Sequence, residues 1–239
     1  MKLEYTLSSD IEGVRLPGSM QEISPVNRTK EQARASYNSM SRWYDLMAGL
    51  AERKYRLAGL EVLRIQEGEQ VLEIGFGTGQ CLVALAQAVG GRGQVYGIDI
   101  SEGMRSMAEA KLAKSSYSER VDLTCADAVE LPYEADFLDA IFISFTLELF
   151  DTPEIPVVLK ECYRVLRAGG RLAVVAMAKG EPPGIMEWLY EWFHRKWPRY
   201  ADCRPIYVTQ SMKAAGFQIR ETARMLMWGL PVEVVLGGK

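Results

Sequence analysis

The spacing of apolar residues divides the chain into four stretches of different character. Residues 1–28 show no sustained period and carry Gly13, Pro17, Gly18 and Pro25, which reads as a loose arm. From Thr29, which forms a capping box with Gln32, the residues Ala33, Tyr37, Met40, Tyr44 and Met47 recur every three or four positions and predict an amphipathic helix. A second helix is expected over Leu50 to Ile65, so that residues 29–66 form helical cover ahead of the first strand. The third stretch opens with Val71, Leu72 and Ile74, a strand-like apolar run broken by Glu73, which empties into three glycines, Gly75, Gly77 and Gly79. Cys81 onward (CLVALAQAV) returns to helical spacing.

Strand and helix then alternate. Strands are expected over Val95 to Ile100, Val121 to Cys125 and about Asp139 to Phe145, and a fifth, RLAVVAM, comes after a turn at Ala168 to Gly170. Between them lie a helix capped by Ser101 and another around Pro156 to Leu166. This order implies a parallel sheet covered by helices on both faces, with ligands at the carboxyl ends of the strands. From Gly180 the pattern changes: Ile185, Trp188, Leu189, Trp192 and Phe193 share one helix face, followed by the basic cluster His194, Arg195, Lys196 and Arg199. A helix at Thr209 to Ala215 and two β-like segments, Phe217 to Ala223 and Met225 to Leu236, would add an antiparallel hairpin to one sheet edge, with Gly229 and Pro231 marking a bulge or bend.

Composition narrows the field. With 239 residues, 48% hydrophobic, the chain is long enough to bury a large core. A net charge of −3 offers no basic field for a polyphosphate backbone, so nucleic acid is not an expected partner. Cys81, Cys125, Cys162 and Cys203 never take the paired spacing of a zinc or redox site, and no metal is expected. The opening residues lack the basic-then-apolar order of a signal peptide, and no apolar run is long enough to span a membrane, so a cytoplasmic location is expected.

The glycine stretch is where a backbone can approach a ligand. A dinucleotide fingerprint wants its third glycine three residues after the second, where this chain has Gln80. Asp99, at the end of the next strand, is placed to accept from both hydroxyls of a ribose. A carboxylate at Glu73 would repel a pyrophosphate and suit an ammonium. These residues favour an amino-acid-like nucleoside, S-adenosylmethionine, over NAD.

From Tyr44 to Met177 the chain resembles class I S-adenosylmethionine-dependent methyltransferases, and most of all the UbiE-type family that methylates quinone precursors and other small or lipid-like molecules. The resemblance rests on ordered motifs: WYDLM at Trp43 to Met47, LEIGFGTG, GIDISEGM at Gly97 to Met104, ADAVELPYEADFLDAIFISFTLE, and YRVLRAGGRL. It implies a Rossmann-like, doubly wound, mostly parallel sheet within a single domain over 29–239, with 180–208 as an acceptor-side insertion. It further implies that Gly75, Gly77, Thr78 and Gly79 pass under the methionine and ribose, and that Asp99 holds the ribose. Ile100 and Met104 would sandwich the adenine, Asp127 and Ala128 would meet its edge, and Ser144 would touch the cofactor. Tyr37 and Tyr44 either close over the methionine end or belong to the core. S-adenosylhomocysteine would be the product.

The implied reaction is in-line displacement at a sulfonium methyl, in which the protein mainly aligns the partners and excludes water. For a phenol or enol carbon a base would help; His194 and Glu148 are the candidates, with Asp202 and Cys203 behind them, although His194, beside Arg195 and Lys196, better suits a solvated helix end. The string DCRPIY at Asp202 to Tyr207 reads as a surface turn. The acceptor is expected to be a small apolar, quinone-like or lipid molecule. The aromatic helix and basic residues of 185–199 would line its pocket or meet a membrane surface, and plain core packing or a homodimer face suits them equally. The alternatives are a methyltransferase acting on RNA or protein, and a non-catalytic S-adenosylmethionine-binding module.

Overall fold

The computed structural model describes residues 51–179 and 204–239. Within them, strands β1 (Gln70–Ile74), β2 (Gln94–Asp99), β3 (Val121–Cys125), β4 (Leu138–Ser144), β5 (Leu166–Met177), β6 (Gln218–Met227) and β7 (Leu230–Gly238) form one sheet. Their order is 3-2-1-4-5-7-6. The first five strands pair in parallel, and β7 inserts antiparallel between β5 and β6. Helix α1 covers residues 51–63, followed by α2 (Leu82–Ala88), α3 (Glu102–Leu112), α4 (Ile155–Val165) and α5 (Val208–Ala214). The chain order reverses direction across the sheet at β1 and β4, which leaves a crevice beyond their carboxyl ends.

The side-chain period of two assigns each strand residue to a face. Leu72 and Ile74 pack with Ile141, Ile143, Leu172 and Val174 against α4 and α5; Val71 packs with Val95, Phe142, Ala173 and Val175 against α1, α2 and α3. Both faces are therefore covered, and the central strands read as nearly unbroken apolar runs. On α4, Ile155, Val158, Leu159, Cys162 and Val165 form the buried stripe, at about 1.5–3 kcal/mol for each large side chain removed from water.

Helix α1 ends at Arg64, whose φ of 50° breaks the helix without a glycine. The terminal carbonyls are taken up by Arg171 on β5: its Nε donates to the Leu63 carbonyl and its Nη2 to the Arg64 carbonyl. The same guanidinium grips the Glu69 carboxylate with bonds of 2.9 and 2.7 Å. Burial pushes the Glu69 carboxyl up, yet the Arg171 bonds and the Gln66 amide outweigh it and hold the group below its ordinary range. One side chain thus ties α1, the lead-in to β1, and β5 together.

The expected helices and strands recur within a residue or two, with two corrections at turns. The Ala168–Gly170 turn does not precede the fifth strand but interrupts it: Leu138 pairs with Leu166 and Ala140 with Arg171, so residues 167–170 are looped out of β5. The C-terminal hairpin turns at Trp228 and Gly229, with Met227 opposite Leu230, and not near residue 224. Gly229 is therefore in the turn itself, and the irregularity in β6 falls between Ile219 and Glu221. The expected arm at 1–28, the first helix of 29–47 and the aromatic helix of 185–197 lie outside the described residues.

At Gly59, α1 lies against the sheet with no room for a side chain. A Cβ there would sit 2.4 Å from Val175 Cγ2 and 2.8 Å from Phe142 Cε2. Gly59→Ala should gain up to about 1 kcal/mol in helix propensity and lose about 1–3 kcal/mol to overpacking. The expected net result is a lower denaturation midpoint, checked by urea unfolding of the single variant.

Candidate active site

Three strand ends and one loop define the crevice. β1 lies between β2 and β4, so the chain leaving Ile74 must turn at once over the neighbouring strand ends. It does so through Gly75 and Gly77, with φ of 70° and 52°. Gly75 also has no room for a side chain, since a Cβ would lie 2.2 Å from both Cγ2 and Oγ1 of Thr146. Gly77 is the opposite case: a Cβ there would meet nothing within 4 Å, so its backbone faces open space.

Asp99, at the end of β2, fixes the loop. The Gly77 amide donates to its Oδ2 and the Ser101 amide to its Oδ1, each at 2.9 Å. Burial raises the carboxyl above its ordinary range, opposed by the Ser101, Gly77 and Ile100 amides. A carboxylate offers about four lone-pair directions, so capacity remains beside these amides for a further donor. Ser101 caps α3 by accepting from the Met104 amide at 3.1 Å, which seats buried Met104 one turn along the helix. Ile100, between Asp99 and the cap, remains partly exposed.

Beneath the loop, Glu73 points to the α1–α3 face and is 3% exposed. Burial raises its carboxyl to about 8; Arg56 and Lys111 oppose the rise and Asp99 adds to it. Its Oε2 has no hydrogen-bond partner. The fixed negative charge expected at this position is therefore suppressed in the fold itself, and the repulsion of a pyrophosphate loses most of its force at neutral pH. What remains is a buried acceptor whose ionisation awaits a cation.

At the ends of β3 and β4 stand the other residues that the sequence singled out. Asp127 Oδ1 accepts from the Val129 amide at 3.1 Å, shaping the turn that buries Ala128. Thr78 is buried within the glycine loop. Ser144 ends β4 with its Oγ buried and without a partner. Thr146, not singled out by the sequence, donates from Oγ1 to the Ser144 carbonyl at 3.0 Å and fills the space that Gly75 leaves. Gly75 lies 71 residues away from it, and no local pattern announces such a contact.

Glu148 lies on the same side of the sheet but is sealed. It is 0% exposed, and Oε1 accepts from the Met177 amide at 3.2 Å. Burial lifts its carboxyl to about 8, against the pull of its own and the Met177 amides and of Arg204, while Glu52 adds to the rise. It stands beside the crevice without opening into it. The described part of the DCRPIY string is not a surface turn: Arg204, Pro205 and Ile206 are buried. Arg204 donates to Thr152 Oγ1 at 2.7 Å and to the Phe150 carbonyl, holding the segment after β4 in place. Tyr37, Tyr44, His194, Asp202 and Cys203 lie outside the described residues. Among those described, no cluster of His, Cys, Asp and Glu could hold a metal ion, and no helix is long and apolar enough to cross a membrane.

Comparison with known proteins identifies the family and its cofactor. Residues 26–202 match the model of the ubiE/COQ5 methyltransferase family. A demethylmenaquinone methyltransferase from Bacillus pumilus is 30% identical over 173 residues, covering 70% of this chain and 73% of that protein. One from Staphylococcus aureus is 34% identical over 157 residues, covering 64% and 62%. A SAM-dependent methyltransferase from Aquifex aeolicus superposes with a TM-score of 0.63 at 24% identity, covering 84% of this chain and 97% of that one. The cofactor is S-adenosylmethionine. The residues present fit it: open backbone at Gly77, spare acceptor capacity on Asp99, and unpartnered buried oxygens on Glu73 and Ser144.

Gly75→Ala should cost about 1–2 kcal/mol for the positive φ alone, with the Thr146 clash added to it. Thr146→Gly in the same chain removes the clash and leaves the backbone cost. The double variant should therefore unfold at a higher temperature than Gly75→Ala, which differential scanning calorimetry of the variants reads directly.

Proposed function

The chain belongs to the ubiE/COQ5 methyltransferase family, and on that premise we propose that it moves the methyl group of S-adenosylmethionine to a small apolar acceptor of the reduced-quinone class. The observation that carries this reading is the match to demethylmenaquinone methyltransferases at about 30% identity over some two thirds of the chain. The family and the cofactor set the reaction class. The acceptor class is what the names of the relatives suggest and what the experiment must decide.

When bound, S-adenosylmethionine supplies an electrophilic methyl on a sulfonium that becomes a neutral thioether as the methyl leaves. The chain's own residues bind and align. The Gly75–Gly79 backbone passes under the methionine and ribose portions, with Thr78 held inside the turn. Asp99 accepts from the ribose hydroxyls through the lone pairs left free by the Gly77 and Ser101 amides. Ile100 and Met104 pack on the adenine, and Asp127 with the Ala128 amide meets its edge. Glu73 receives the ammonium of the methionine portion, and Ser144 Oγ finds its missing partner at the same end. Positioning of this kind contributes up to about 7–11 kcal/mol to a bimolecular step. On a hydroquinone ring the new carbon–carbon bond forms as the carbon–sulfur bond breaks, and the ring proton leaves to solvent or a base.

Three measurements test the reading. Methyl-labelled S-adenosylmethionine with a chemically reduced, short-prenyl 1,4-naphthoquinol under anaerobic conditions should give a ring-methylated product; label transferred to a thiol or amine acceptor and to no quinol would overturn the acceptor class. Asp99→Ala should weaken S-adenosylmethionine binding in calorimetry by tenfold or more, the scale of losing charge-assisted hydrogen bonds. Unchanged affinity would remove Asp99 from the site.

The third comes from the raised pKa of Glu73. A carboxyl held near 8 is about nine-tenths protonated at pH 7 and must give up that proton to meet an ammonium as a carboxylate. Binding at pH 7 should therefore release close to one proton, and affinity should rise about tenfold between pH 6 and pH 7. Calorimetry in two buffers of different ionisation enthalpy reads the release, and Glu73→Gln should abolish it.

A further inference from the structure

The β6–β7 hairpin carries two features that the fold does not require. Its two-residue turn, Trp228–Gly229, has φ of 51° and 83°, the double positive φ of a type I′ turn, where Asn, Asp or Gly is preferred at the first position. A bulky indole there is strained, and Trp228 is 72% exposed. Leu226, two residues earlier on β6, is 64% exposed. Neither strain nor exposure is compensated by any packing in the described residues.

The tip also has a definite place. β6 runs parallel to β5, and the pair Met177–Val232 marks the end of β5, whereas the hairpin continues through Leu226–Pro231 and Met227–Leu230. It projects about 7 Å past that strand, at the same end of the sheet as the glycine loop. The Tyr55 hydroxyl donates to the Leu226 carbonyl, fastening the tip to α1. The Lys54 ammonium lies 4.7 Å from the centre of the Tyr55 ring. Arg53 and Lys54 are both exposed, and Leu57, one turn along the same helix face, is 48% exposed.

We propose that this tip seats on an anionic lipid surface. Trp228 and Leu226 enter the headgroup boundary, where an indole is at home, and Arg53 and Lys54 meet lipid phosphates. A few apolar side chains beside two cations are too small a patch for a stable protein interface, which needs about 800 Å² a side. They do match the combination of apolar insertion with basic attraction that gives reversible membrane attachment. The open end of the crevice then faces the layer in which an apolar acceptor dissolves; that last link rests on the acceptor class proposed above.

The test is sedimentation of the full chain with phosphatidylcholine vesicles, with and without one third phosphatidylglycerol, at low salt. Partition should be at least tenfold stronger on the anionic vesicles. Trp228→Asn should lower it about tenfold while leaving the thermal midpoint equal or higher, because Asn suits the turn, and leaving turnover of the soluble naphthoquinol unchanged. Arg53→Gln with Lys54→Gln should abolish the preference for anionic lipid. Absence of binding to either vesicle, or equal binding by Trp228→Asn, overturns the proposal. So does a concentration-dependent dimer in sedimentation velocity that Trp228→Asn abolishes, since a second copy would then cover the tip. Vesicle binding and naphthoquinol turnover are read separately, so lack of turnover alone counts against the acceptor class and not against the tip.

Discussion

Both oxygens of the Asp99 carboxylate are occupied by backbone amides, and the site depends on that bridge. One amide belongs to the glycine loop after β1 and the other to the start of α3. The loop is further held by the Gly75 amide on the Ile98 carbonyl and the Gly79 amide on the Phe76 carbonyl, and α3 begins only where Ser101 turns back to cap it. One carboxylate thus sets the distance between the floor of the crevice and the helix that walls its far side.

The opposite wall is built by packing. Thr146 occupies the volume where a side chain on residue 75 would be, and Arg204 holds the segment after β4 by reaching Phe150 and Thr152. Two carboxyls near the crevice are largely discharged by burial, Glu73 beneath the glycine loop and Glu148 sealed beside it. Each keeps one oxygen without a hydrogen-bond partner; Glu148 accepts from the Met177 amide at its other oxygen and is 0% exposed, whereas Glu73 sits under the glycine loop.

Most of this architecture is legible in the chain because it is local. β3 reads residue for residue as Val121–Cys125, and the Ser101 cap, the glycine turn and the acid ending β2 are set by side chains within a few positions of each other. The departures are at places decided elsewhere. The C-terminal hairpin turns at Trp228 because its register is set by β5, and a Trp–Gly pair is not the Asn–Gly signal that a turn search looks for. The Ala168–Gly170 turn becomes a loop-out because β4 pairs on both sides of it. Burial of Arg204 and the protonation of Glu73 are properties of the packed molecule, and no spacing rule encodes them.

The strand order has a consequence for how this sheet is made. β7 comes last among the strands yet occupies an interior position, separating β5 from β6. As the chain emerges during synthesis, β1 to β5 can assemble while β5, rich in Val and Ala, still presents a full row of unpaired amides and carbonyls, and β6 arrives with no neighbour of its own. Completion waits on residues 230–238, so any event that stalls or clips the chain before them leaves the outer side of β5 and the whole of β6 unpaired, sides that β7 covers in the finished sheet. A nascent-chain chaperone would find its substrate in that interval.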